Sequence, residues 1–191
     1  SLTSLLDDLL DLAKFEAGRM TMALSEVSLA DVVNDAADEF ASLYSEMGVK
    51  LSLEMDEATP EMSADRSRLM QVLRNLLSNA VKFSPPGGQV RVALHTVGDL
   101  AQLSVVDEGR GIPPDELEHI FDKFVQANGT HPRTGGTGLG LAISREIVEA
   151  HGGRIWAENR PEGGARMVFE IPLSGPPVVA EAEPTEPRPR I

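Results

Sequence analysis

The chain has 191 residues, 41% of them apolar and 25% charged, which suffices for one folded domain with appendages and is an ordinary composition for a buried core. Its 17 Lys and Arg against 30 Asp and Glu leave a net charge of −13, which would repel a phosphate backbone and argues against nucleic acid as a partner. No long uncharged apolar run reads as a membrane segment, and the lack of cysteine removes disulfides, thiol catalysis and thiolate-bound zinc and fits a reducing compartment.

Leu2, Leu5, Leu6, Leu9, Leu12 and Ala13 recur at steps of three and four with Asp7, Asp8 and Asp11 between them, predicting an amphipathic helix over residues 1–17 that Gly18 stops. Its apolar pattern is already running at Leu2, so it reads as the end of a longer helix. Ser28 with Asp31 opens a second helix over about 29–47, apolar at Val32, Val33, Ala36, Ala37, Phe40 and Leu43 and closed at Gly48. Val49–Met55 alternates as a half-buried strand. A third helix from about Asp65 to Phe83 carries Leu69, Val72, Leu73, Leu76, Leu77 and Ala80. After the turn Pro85–Gly88 come two alternating runs, Val90–Thr96 and Gln102–Val106, joined around Gly98 and Asp99 as a hairpin. Pro113 and Pro114 predict the start of a short helix, and residues 125–137 read as an irregular, Gly-rich loop. Leu139–Ala150 is a last helix closed by Gly152 and Gly153, followed by strands Arg154–Glu158 and Ala165–Ile171. This order predicts an α+β fold, a mixed sheet with three main helices packed on one face in a two-layer sandwich. From Ser174 onward five prolines and three glutamates in eighteen residues leave no buried face to form, so this stretch reads as a tail or linker.

Three segments carry residues that a plain fold does not need. On the third helix, at about 100° per residue, Asn75, Asn79 and Lys82 share a flank away from the apolar stripe. Amide oxygens can ligate a hard cation and a lysine can offset phosphate charge, although the same flank also reads as a solvated helix edge. Asp107 stands where the strand Gln102–Val106 runs out into Gly109 and Gly111. A carboxylate there can accept hydrogen bonds from an exocyclic amine and would repel the carbonyl oxygen of guanine, so adenine is preferred; the plainer reading is an Asp-rich turn. Gly135, Gly136, Gly138 and Gly140 run directly into the last helix and bring backbone amides and a positive helix end to one place. The segment is neither a Walker loop, since no Lys-Ser or Lys-Thr follows, nor a dinucleotide fingerprint. His95, His119, His131 and His151 form no spacing that binds a metal.

The order and spacing of these motifs resemble the catalytic and ATP-binding domain of sensor histidine kinases, in the ATPase superfamily shared with gyrase, Hsp90 and MutL. The resemblance covers about residues 20–173. Gln71–Phe83 matches the N box, Asp107-x-Gly109-x-Gly111 the adenine motif, Phe121–Phe124 the F box and Gly136–Leu141 the second glycine motif. Residues 5–18 resemble the end of the second dimerisation helix of that family. The resemblance thus implies three parts: residues 1–18 from the dimerisation helix, 19–173 as the ATP-binding domain, and 174–191 as a tail. It implies ATP and Mg²⁺ as ligands, with Asn79 on the metal, Asn75 supporting that site, Lys82 on phosphate and Asp107 on the adenine amine. Backbone of Gly136, Gly138 and Gly140 would contact phosphate and Arg133 the γ-phosphate, while Phe83, Gly109, Gly111, Thr137 and Leu139 complete the nucleotide site.

The family's phosphoacceptor histidine sits on the first dimerisation helix beside an acidic residue, and none of the four histidines here has that surrounding. The expectation is therefore a cytoplasmic kinase domain that binds Mg-ATP, does not phosphorylate itself, and serves a histidine on its own or a partner protomer's dimerisation domain within a homodimer. The phosphate would then pass to a response-regulator aspartate. The alternative is a regulatory nucleotide-binding module of a mainly phosphatase or scaffold parent.

Overall fold

The computed structural model describes residues 2–124 and 138–177. In chain order these form α1 (Leu2–Glu16), β1 (Ser25–Val27), α2 (Leu29–Glu46), β2 (Lys50–Met55), β3 (Met62–Ala64), α3 (Arg66–Phe83), β4 (Gln89–Val97), β5 (Leu100–Val106), α4 (Gly140–Ala150), β6 (Arg154–Asn159) and β7 (Ala165–Pro172). The main sheet has the order β2-β4-β5-β7-β6. Only β2 and β4 run parallel in it, and the crossover such a pair needs is supplied by β3 and α3. Helices α2, α3 and α4 cover one face, giving the two-layer mixed architecture read from the sequence.

The hydrophobic stripe of α3 holds these layers together. Leu69, Val72, Leu73, Leu76 and Leu77 are all buried, and burying each such side chain is worth about 1.5–3 kcal/mol. Asp65 caps the helix by accepting the Arg68 N–H at 3.2 Å. That packing fixes the opposite flank, where Asn75, Asn79 and Lys82 stand, and makes the helix tolerant of two poor helix formers.

Some expectations need correction. The stripe of α2 ends on Tyr44, four residues after Phe40, and not on Leu43: Tyr44 is buried and its hydroxyl donates to the Leu77 carbonyl at 2.8 Å, whereas Leu43 is exposed. The segment after Pro113 is a series of tight turns and not a helix. Glu116 N–H bonds Pro113 O, and the N–H groups of His119 and Ile120 bond Glu116 O, after which the chain bends to bury Ile120 and Phe121. An antiparallel ribbon pairs β1 with β3; at three residues each, neither strand is long enough to show a period. Residues 174–177 still lie against the domain, with Gly175 backed onto Ser63 and Pro177 onto Gly152.

Helix α1 packs against α4 and inserts Leu12 into the common core. Its Asp11 carboxylate accepts from Arg68 Nη1 at 3.1 Å and Gln71 Nε2 at 3.2 Å, and Glu16 pairs with Lys123. None of the described helices is long and apolar enough to cross a membrane.

A buried histidine ties the ends of α3 and α4. His151 Nδ1 donates to the Ile147 carbonyl at 2.8 Å, and its Nε2 accepts the Asp65 backbone N–H at 3.0 Å. The second Asp65 oxygen meanwhile accepts the Ala23 N–H at 2.9 Å, so the chain leaving α1 joins the same knot. These partners require the neutral ring, and burial lowers the His151 pKa below its ordinary 6.5. The unfolded chain therefore binds the proton more readily, and this part of the stability is full above about pH 6.5 and lost as pH falls toward the lower folded value. Urea unfolding of the wild-type chain should lose up to about 1.4 kcal/mol per pH unit below pH 6.5. His151→Gln should be less stable at pH 7.5 but show a flatter profile between pH 6.5 and 5.5; an unchanged slope would contradict the assignment.

Candidate functional site

Helix α3 touches both the start of α4, through Asn75, and the loop after β5, through Phe83. On α3, Asn75 points at the start of α4: its Nδ2 donates to Gly140 O at 3.0 Å and Ser144 Oγ at 3.1 Å. Ser144 is fully buried and its hydroxyl donates to the same Gly140 carbonyl at 2.8 Å. A Cβ at Gly140 would stand 3.2 Å from Asn75 Oδ1, so glycine lets the two helices approach this closely. One turn further along α3, Asn79 is half-buried, and among the described residues its carboxamide takes no hydrogen bond. Lys82 lies 5.4 Å from the centre of the Phe83 ring, with Arg110 at 5.8 Å, and partial burial lowers the Lys82 pKa.

Helix α4 begins at Leu139 with no side-chain cap hydrogen bond, and its first turn holds no acidic residue. Gly138 precedes it with φ +72°, and the Gly138 carbonyl accepts the Phe124 N–H at 2.9 Å. Phe124 itself has φ +61° and is exposed, an unusual pairing for an aromatic residue.

Asp107 ends β5 inside the fold. Its Oδ1 accepts the Gly109 N–H at 2.8 Å and the Ala165 N–H at 3.2 Å, while Oδ2 has no hydrogen-bond partner among the described residues. Burial raises its pKa, opposed by these two amides and by the Arg160 charge. The Tyr44 phenol is pushed up chiefly by its own burial and secondarily by the Asp107 charge. Gly109 packs on the end of α3, where a Cβ would come within 2.5 Å of Phe83 O, which draws the Asp107 loop against the Asn79 flank. At Gly111 the φ of +77° and the Asn159 side chain both require glycine.

The structure thus brings together Asn75, Gly138, Leu139 and Gly140 on one side and Phe83, Asp107, Gly109 and Gly111 on the other, with Asn79 and Lys82 along the α3 edge between them. Arg133, Gly136 and Thr137 lie outside the described residues. The sequence reading passed over Ser144, which looked like an ordinary helix residue, and the hairpin of residues 159–165. Asn159 holds both backbone groups of Ile112, donating to its carbonyl at 2.6 Å and accepting its N–H at 2.8 Å. The adjacent pair Gly163-Gly164 between two strands was the available signal.

Residues 64–175 match the family described as histidine kinase-, DNA gyrase B- and HSP90-like ATPase, and the chain belongs to this family. Over 186 residues it is 36% identical to the histidine protein kinase DivJ of Caulobacter vibrioides, covering 97% of this chain and 31% of that protein. The chain spans about a third of the length of such curated relatives. Among solved structures, the catalytic domain of histidine kinase ThkA superimposes with a TM-score of 0.72 at 34% identity, covering 80% of this chain and 97% of that domain. ThkA in complex with the response regulator protein TrrA matches with a TM-score of 0.71 at 28% identity, covering 90% of this chain and 49% of that one. Full-length ShkA in complex with AMPPNP gives 0.81 at 31% identity, covering 91% of this chain and 36% of that one.

The glycines behind Asp107 offer a direct test of this geometry. Gly163 and Gly164 both have positive φ, +102° and +87°, but a Cβ meets nothing at Gly163 and falls 2.1 Å from Asp107 O at Gly164. Gly163→Ala should cost about 1–3 kcal/mol from backbone strain alone. Gly164→Ala should cost clearly more in urea unfolding, and equal losses would contradict the close approach.

Proposed function

We propose that this chain is the ATP-binding catalytic domain of a two-component sensor histidine kinase, holding Mg-ATP and presenting the γ-phosphate to a histidine on a dimerisation domain. What supports this most is the buried Asp107 carboxylate, one oxygen of which takes no hydrogen bond among the described residues, on a loop whose Gly109 packs against Phe83 at the end of α3, the helix that carries Asn75, Asn79 and Lys82. Adenine then meets Asp107, whose Oδ2 accepts the exocyclic amine beside Gly109 and Gly111. Phosphates meet the backbone at Gly138, Leu139 and Gly140, joined by Gly136 and Thr137, with Arg133 on the γ-phosphate and Lys82 offsetting charge.

The donor set fits Mg²⁺ held largely by its nucleotide. The Asn79 amide oxygen is a hard donor of the kind Mg²⁺ takes and would hold the ion together with the bound nucleotide. When bound, the ion offsets charge on the phosphate oxygens. Asn75 positions the start of α4 and is not itself a ligand. Such a reaction depends on orientation and charge neutralisation more than on an acid or base in the domain.

Helix α1 is read as the end of a dimerisation helix, consistent with exposed Leu2, Leu6, Leu9 and Leu10. Residues 19–173 form the kinase domain proper and 174–191 its tail or linker. In the parent, a homodimer that carries this domain in the cytoplasm with or without a membrane anchor, the phosphohistidine would serve a response regulator, a class of partner that ThkA binds in its complex with TrrA.

ATP titrations with and without Mg²⁺ check the metal assignment. Asn79→Ala should lose about tenfold or more of the Mg²⁺-dependent affinity, equal to about 1.4 kcal/mol, and an unchanged titration would refute the role. Mixing the chain, labelled ATP and Mg²⁺ with a separate dimerisation domain of the parent should place label on histidine. Tight binding without transfer, where the intact parent does transfer, would favour a regulatory module.

A further inference from the structure

The hairpin between β6 and β7 grips the Asp107 loop from behind. Asn159 holds Ile112 by two hydrogen bonds, Gly164 abuts the Asp107 carbonyl, and Ala165 accepts the Asp107 N–H at its carbonyl while giving its own N–H to the Asp107 carboxylate. The one cation in this grip among the described residues is Arg160. Its backbone closes the hairpin, with Arg160 N–H bonding Gly164 O at 3.0 Å and Gly163 N–H bonding Arg160 O at 3.1 Å. Its guanidinium forks between the Asp107 backbone carbonyl, 3.1 Å from Nη1, and the Glu162 carboxylate, 2.8 Å from Nη2. The side chain is only about a fifth exposed, at 21%, which leaves little room for it to swing into solvent.

We propose that Arg160 is a positioning residue for Asp107, fixing the backbone that carries this carboxylate and adding a positive charge to the two amides that hold it. It touches the main chain of Asp107 and so acts on the nucleotide only through that residue. Among the described residues the groups that favour the charged carboxylate are the Gly109 and Ala165 amides and, after them, Arg160 on the hairpin, and the carboxylate in turn acts on the Tyr44 phenol of α2. Arg160 is the only full positive charge in this set among the described residues. Glu162, which is exposed, holds the other prong of the fork and keeps the guanidinium from turning away. The inference builds on Asp107 reading the base, but the link between Arg160 and Asp107 is a property of the nucleotide-free chain and is tested there.

The experiment follows the Asp107 carboxyl carbon by NMR through a pH titration of the nucleotide-free chain. Arg160→Gln and Arg160→Met both remove the charge, one keeping a polar contact and the other none, and each should raise the Asp107 midpoint by about one pH unit; Arg160→Lys should bring it most of the way back. A midpoint that does not move in whichever charge-removing variant retains the native amide spectrum would overturn the proposal. A matching titration of ATP affinity separates the two layers of the argument. If the low-pH loss of binding moves up with the carboxyl midpoint, both stand. If the carboxyl moves while ATP affinity keeps its pH profile, Arg160 is confirmed as the partner of Asp107 and the base-reading role of Asp107 is what fails.

Discussion

A carboxylate buried at the end of a central strand is costly unless polar groups meet it. Asp107 is such a group, and much of the surrounding architecture serves it. Two backbone amides satisfy one oxygen, the β6–β7 hairpin supports the main chain from behind, and a tight glycine contact brings the end of α3 up to the loop. The remaining oxygen takes no hydrogen bond among the described residues and is available to a ligand. Because β5 is the central strand, paired by β4 on one side and β7 on the other, the carboxylate follows directly on a strand held along both edges.

The second constraint is the two-sided character of α3. One stripe is buried against the sheet, and its rigidity is passed to the opposite flank, so Asn75 and Asn79 keep their orientation without neighbours of their own kind. They are not equivalent. Asn75 is committed to Gly140 and Ser144, where it sets the separation of α3 and α4, whereas Asn79 one turn later remains available. The partners of Asn75 separate its positioning role from the ligating role proposed for Asn79.

Much of this was legible in the sequence because the relevant signals are local. Helical period exposed the α3 stripe and the Asn flank, strand alternation exposed β4 and β5, and the glycines after Asp107 marked a close backbone approach. What was not legible depends on contacts between segments far apart in the chain. The β1–β3 ribbon joins two three-residue strands, the His151 knot joins Asp65 to a residue 86 positions away, and Arg160 reaches back 53 positions to Asp107. Tyr44 displaced Leu43 because the buried edge of α2 turns slightly farther than its apolar residues suggest. The proline pair at 113 and 114 suits a helix start, yet the need to bury Ile120 and Phe121 breaks the segment into turns.

The central claim is that a buried, ionised Asp107 reads the base of a bound nucleotide. Calorimetric titration of the wild-type chain with ATP and with GTP, both with Mg²⁺ at the same pH, tests it most directly. A charge-assisted hydrogen bond worth about 1.5–3 kcal/mol that guanine cannot make predicts at least about tenfold tighter binding of ATP. Equal affinities for the two nucleotides would contradict the account.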